Sequence, residues 1–215
     1  MPNRPRAEDG TTFHVVNRAT RGELLYRDFG EYLSYLRLLS CVLRQWPVDV
    51  FAFCLMPNHF HFLIRPETHA ALVGLMYEVS KNHALQLRRW RGNEGCGAVY
   101  QGRYRASPVH NESYFYRAVR YVERNPVRAA LCARVEEWPW SSASRVAETQ
   151  GVFLADWPVP RPKNWLSFVN ETEPKQDIEF IRQRTQRCEP IAEATDAVAV
   201  IATPVKRLGA VSEDD

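Results

Sequence analysis

Hydrophobic positions recur along this chain with two different periods, and the switches between them outline its elements. TTFHVVN (11–17) alternates and is rich in β-formers, which predicts a strand. RATRGELLYRD has no period and reads as a loop. From Glu31 to Trp46 apolar side chains return at Tyr32, Leu36, Leu39, Leu43 and Trp46, the stripe of an amphipathic helix that Pro47 ends. VDVFAFCLM (48–56) predicts a second strand, Pro57 and Asn58 suit a turn, and HFHFLI (59–64) is the antiparallel return of a hairpin. Residues 69–90 carry another helical stripe through Leu72, Met76, Val79, His83, Leu87 and Trp90, which RGNEGCG breaks. AVYQGRYRASPV (98–109) alternates again. Asn111 then makes a good N-cap for a third helix running to about Asn125, where Pro126 discourages continuation.

The order β, α, β, β, α, β, α predicts a ferredoxin-like α+β domain over residues 1–142, an antiparallel sheet with helices packed on one face. Pro158, Pro160 and Pro162 cluster in a stretch (143–165) that reads as an extended linker, and the segment around DIEFIRQRTQRCE predicts a short helix at 175–187 in a C-terminal extension ending near 191. Residues 192–215, rich in Ala, Val and acids, have no useful period and read as a disordered tail.

Composition narrows the class. A chain of 215 residues holds one good-sized domain and an appendage, and 45% hydrophobic content is ample for its core. No apolar run approaches the ~18 residues a membrane span needs, and MPNRPRAEDG has no apolar signal core, so a soluble, cytoplasmic protein is expected. Five scattered cysteines without a CxxC spacing exclude a disulfide frame or a zinc site as the organising principle. The net charge of +3 says little. Its distribution says more: between 81 and 105, Lys81, Arg88, Arg89, Arg91, Arg103 and Arg105 face a lone Glu94. That run fits either a surface for a polyanion or an ordinary solvated helix face.

Two features carry candidate chemistry. In a strand His59, His61 and Leu63 share one face while Phe60, Phe62 and Ile64 share the other, so both imidazoles meet one space as the phenylalanines enter the core. Two such imidazoles can chelate a divalent ion, or can be no more than a hydrogen-bonded surface pair. His83 lies on an apolar stripe and reads as a core residue, His69 and His110 lie near helix starts, and His14 is compatible with either face. On the third helix Phe115, Val119 and Val122 form the core stripe, and Tyr114, Ala118, Tyr121 and Asn125 form the stripe beside it. Tyr121 and Asn125, one turn apart, can offer a hydroxyl and an amide oxygen to one centre or merely pack. Trp138 and Trp140 suit base stacking or, more simply, the core.

Taken in order, LMPNHFHFLI, YQGRYR, RYVERNPVRAAL and WPWSS resemble the single-tyrosine HUH transposases, named for two histidines flanking a bulky hydrophobic residue, here Phe60. The resemblance covers residues 12 to about 142, and PRPKNW (160–165) with the helix beyond it looks like the extension of the REP-associated tyrosine transposases. It implies that His59 and His61 are ligands of Mg²⁺ or Mn²⁺, that Asn125 is the third ligand, and that Tyr121 is a nucleophile on single-stranded or hairpin DNA, with Tyr114 the second choice. Arg88, Arg89, Arg103 and Arg105 would contact phosphates. A monomer is expected ahead of a homodimer. Glu123 and Arg124 depart from the family, which commonly has apolar or aromatic residues there, as does Ala130, where Gly is usual. A silent hairpin-binding module and a water-using metal hydrolase are the competing readings.

Overall fold

The computed structural model describes residues 9–92 and 97–192; the expected tail beyond 192, together with Glu94 and Cys96, lies outside them. Four antiparallel strands, β1 (Thr12–Arg18), β2 (Val48–Met56), β3 (His59–Pro66) and β4 (Arg105–Val109), form one sheet in the order β2-β3-β1-β4. The β2–β3 hairpin sets the register of everything else: Met56 faces His59, Leu55 faces Phe60 and Cys54 faces His61. Pairing of β1 then brings Val16 opposite His61 and His14 opposite Leu63, so His14, Val16, Arg18, His59 and His61 share a face.

The opposite face carries Phe13, Val15, Phe53, Leu55, Phe60, Phe62 and Ile64 into a core beneath α1 (Phe29–Leu43) and α2 (His69–Arg91). The Asp28 carboxylate caps α1 by accepting from Glu31 N at 3.0 Å, and Thr68 caps α2 by accepting from Ala71 N at 3.2 Å. Gly92, at φ +61°, closes α2 in the left-handed conformation. α1 stops at Leu43, short of the expected Trp46. The Trp46 ring instead lies over Gly74 of α2, so close that a Cβ there would stand 2.3 Å from it. His83 is a core histidine, with Nδ1 2.6 Å from the Tyr100 hydroxyl and Nε2 buried without a hydrogen-bond partner among the described residues.

A second helical layer covers the histidine face, beyond the one-face packing expected. Its cause is visible in the strands: Phe51, Ala52, Cys54 and Leu63 make that face apolar as well, and it needs a cover. α3 (Glu112–Glu123), capped by Asn111 Oδ1 accepting from Tyr114 N at 3.0 Å, brings Phe115, Val119 and Val122 onto it. The helix ends at Glu123, and a separate turn α4 (Asn125–Arg128) follows, with Pro126 in its first turn where a missing N–H costs little.

Residues 138–155 run along the free edge of β2. Leu55 N donates to Trp140 O (2.8 Å), Ser142 N to Phe53 O (2.9 Å) and Ala155 N to Val50 O (2.9 Å), shielding that edge from other strands. Trp140 stacks on Tyr32 at 4.6 Å, and Trp138 Nε1 donates to Leu55 O, so both tryptophans pack rather than face solvent. After a short α5 (Val146–Thr149) the stretch to 165 is largely irregular yet buries Val152 and Val159; α6 (Trp165–Asn170) and α7 (Lys175–Arg187) follow. α7 buries Ile181 and Thr185, its Arg184 O accepts from Ser107 Oγ of β4 (3.3 Å), and beyond it Ile191 N donates to Pro108 O (2.8 Å). The strand expected from 98 begins at Arg105; before it only Tyr100 bridges, to Ala19. No helix among the described residues is long and apolar enough to cross a membrane.

Candidate active site

A cleft of about 570 Å³ opens where β1, β3, α3, α4 and α7 meet. His59 and His61 reach it from one face of β3, with ring centroids 4.9 Å apart and planes at 81°. Hydrogen bonds settle which nitrogens remain. His59 Nδ1 donates to Asn58 Oδ1 at 2.7 Å, and His61 Nδ1 lies 2.9 Å from His14 Nε2, which leaves Nε2 of each ring uncommitted. Both rings are held neutral. Burial, aided by the Arg18 and Arg128 charges, lowers His59 to about 4, and burial with the neighbouring histidines and the same arginines takes His61 well below the usual histidine range.

Tyr121 enters from α3 and is 6% exposed. Its ring stands edge-on to His61 and to His14, 5.7 Å from each. The Arg128 guanidinium lies over the phenol ring, 4.2 Å from its centre, and the same side chain donates to Tyr121 O and pairs with Glu173. Asn125 also lines the cleft. Its Nδ2 donates to Tyr121 O at 3.0 Å and Val122 O at 3.4 Å, closing off α3's last carbonyls, so Oδ1 is what it has left to offer a ligand.

Tyr121, His59, His61 and Asn125 are therefore brought together as expected. Tyr114 is not: it is buried beneath α7, stacked on Phe180 at 5.6 Å, and does not line the cleft. Arg103 and Arg105 line the cleft, whereas Arg88 and Arg89 sit in the last turn of α2, on the far side of the sheet, with Arg88 donating to Gly97 O. His69 and His110 are exposed and belong to neither core nor cleft. Sequence reasoning missed Arg18, Arg128, Arg182, Thr185 and Gln186 as cleft residues. Arg18 had a signal, since alternation from His14 through Val16 reaches it; Arg128 lay within the NPVR motif itself. Residues 182–186 had none, because only tertiary packing brings α7 there.

The donor set fits a small divalent cation. Among the described residues no three His, Cys, Asp or Glu side chains converge as a ready cage. A third protein ligand drawn from the cleft would be a neutral oxygen, and Asn125, its Nδ2 bonded inward, would offer Oδ1. Two imidazoles with one amide oxygen make a mixed set that suits Mn²⁺ or Mg²⁺ better than an all-nitrogen or thiolate site would.

The family model described as Transposase IS200 like matches residues 9–125. The chain belongs to this family. Its match spans β1 through Asn125 and so includes both histidines, the tyrosine and the amide of the cleft. Curated relatives of this transposase-family chain include a REP-associated tyrosine transposase of Escherichia coli K12, 26% identical over 152 residues, covering 69% of this chain and 84% of that protein. Another is a putative REP-associated tyrosine transposase of Haemophilus influenzae Rd, 21% identical over 122 residues and covering 53% of this chain and 69% of that one. Among solved structures, a REP-associated tyrosine transposase bound to a REP hairpin shares the fold, with a TM-score of 0.54, 23% identity, 66% of this chain and 81% of that chain covered.

Proposed function

We propose that this transposase-family chain is a metal-dependent endonuclease and strand transferase that cuts single-stranded DNA beside hairpins, of the REP type its relatives are named for, through a 5′-phosphotyrosine. What carries the reading is one arrangement: the Tyr121 ring edge-on to His61 in a cleft that His59 and Asn125 also line. The Tyr121 oxygen attacks the scissile phosphorus, the bond to the 3′-oxygen breaks, the phenol proton leaves to solvent and the released 3′-oxygen takes one up. One phosphodiester replaces another, so a second 3′-hydroxyl can reverse the step and join a new strand without ATP.

Phenols ionise near pH ~10 and are weak nucleophiles at neutrality. Here the Arg128 guanidinium packs over the ring, 4.2 Å from its centre, and fixes the orientation of the phenol in the cleft. His59 and His61, both neutral, with Asn125 Oδ1 would hold Mg²⁺ or Mn²⁺, which when bound supplies Lewis-acid charge to a phosphate oxygen. Arg18, Arg103, Arg105 and Arg182 rim the cleft and would grip the backbone of an unpaired strand. One chain supplies both the histidines and the tyrosine, which favours a monomer acting in cis.

The test incubates the chain with end-labelled hairpin DNA carrying single-stranded flanks, plus Mn²⁺. A denaturation-resistant protein–DNA adduct is expected, lost in Tyr121→Phe with DNA affinity retained. Cleavage without an adduct would instead make the chain a hydrolase, and tight binding with neither would make it a binding module.

A further inference from the structure

His14, which the proposed chemistry does not touch, is fully buried between the centre and the C-terminal extension. Both of its ring nitrogens are engaged: Nε2 lies 2.9 Å from His61 Nδ1, and Nδ1 lies 3.0 Å from the Thr185 hydroxyl. Its ring is parallel to that of His61, at 7° with centroids 5.1 Å apart, and Tyr121 stands edge-on against both. The hydroxyl is itself well placed in register, since Ser107 of β4 donates to Arg184 O at 3.3 Å next to it.

A chain of three such groups has two proton orders. In one, His61 Nδ1–H donates to His14 Nε2 and His14 Nδ1–H donates to Thr185 Oγ1, which leaves a bare lone pair on His61 Nε2. In the other, Thr185 donates to His14 Nδ1, His14 Nε2–H donates to His61 Nδ1, and His61 carries its proton on Nε2, where it blocks any cation. Only the first order leaves His61 Nε2 open to a cation, and it requires the Thr185 hydroxyl to accept from His14 Nδ1–H across their 3.0 Å contact. We propose that His14 and Thr185 are positioning residues for His61, Thr185 acting as the terminal acceptor that selects the first order, so that α7 of the extension tunes a centre the family domain alone does not complete. This rests on the reading of His61 as a metal ligand given above.

The full chain, labelled with ¹⁵N-histidine, separates the two claims. Without metal, the imidazole spectrum is expected to show His61 protonated on Nδ1. Thr185→Val should move that proton to Nε2 and weaken Mn²⁺ binding about 10- to 100-fold, the usual effect of losing such an outer partner, while Thr185→Ser restores both. A Thr185→Val protein whose His61 keeps the Nδ1 proton and binds Mn²⁺ like wild type overturns the proposal. If His61→Ala takes up Mn²⁺ as well as wild type does, the metal reading falls instead, and the metal-free histidine spectrum still decides the proton order.

Discussion

Ala130 sits at φ +53°, a left-handed conformation that its Cβ resists by crowding the carbonyl. The turn imposes it: Ala130 N donates to Val127 O (3.0 Å) and Leu131 N to Pro126 O (2.9 Å), the paired closure of a helix end that normally selects glycine. Alanine where the resemblance led to the expectation of Gly thus stores strain two residues after Arg128. Ala130→Gly is expected to raise stability by about 0.5–1 kcal/mol, the relief of the left-handed penalty less glycine's extra unfolded entropy, read as a higher urea midpoint. The other two departures have partners rather than strain. The Glu123 carboxylate, its pKa raised by burial, accepts from Ser142 Oγ and Trp165 Nε1 at 2.9 Å each. Arg124 pairs with Glu173 at 3.2 Å and donates to Val169 O at 2.6 Å. All these partners lie between residues 142 and 173, so the unusual pair at the end of α3 is matched to the segment that follows the family domain.

At the level of elements, the packing of the α1–β2 connection on α2 depends on Gly74 lying beneath the Trp46 ring. Alanine there gains about 1 kcal/mol of helix propensity, but overpacking costs about 1–3 kcal/mol, so Gly74→Ala should lower the melting temperature. Trp46→Leu in the Gly74→Ala background should recover part of the loss, and simple addition of the two single effects would speak against contact. The β2–β3 hairpin, both long helices, the break at RGNEGCG and the cap at Asn111 were legible because local chemistry dictates them: alternation, a 3.6-residue stripe and residues suited to one backbone state. The Trp46 position was not, because its spacing continues the α1 stripe although the backbone has already left the helix at Leu43. His14 stayed ambiguous for a related reason. Alternation tells two strand faces apart, but both faces of β1 are covered here, so polarity could not say which cover His14 meets. The cleft's β3 and α3 residues could be read from spacing, while Thr185, more than a hundred residues from either histidine, becomes part of it only when α7 docks.

Across the whole molecule, the sheet's two covered faces give it a shared weakness to acid. His14 and His83 are lowered to about 3 and His59 to about 4, in each case chiefly by burial, and His61 falls well below the usual range. In the unfolded chain these imidazoles titrate near pH ~6.5. Between the two values the unfolded state binds protons that the folded state refuses, so stability is intact above about pH 6.5 and is lost as pH falls toward the folded values. Each such histidine contributes up to ~1.4 kcal/mol per pH unit in that window. The melting temperature should therefore be nearly level from pH 8 to 7 and fall progressively from pH 6.5 to 5, a range in which ordinary carboxylates are still ionised and cannot be the cause. His83 lies on the α1–α2 face and the other three on the α3–α7 face, so the decline should appear as one cooperative transition whether followed by tryptophan fluorescence or by far-ultraviolet circular dichroism. A melting temperature unchanged down to pH 5 would mean that these rings accept protons in the folded state, and with that the neutral imidazoles required for His59 and His61 to act as ligands would be lost.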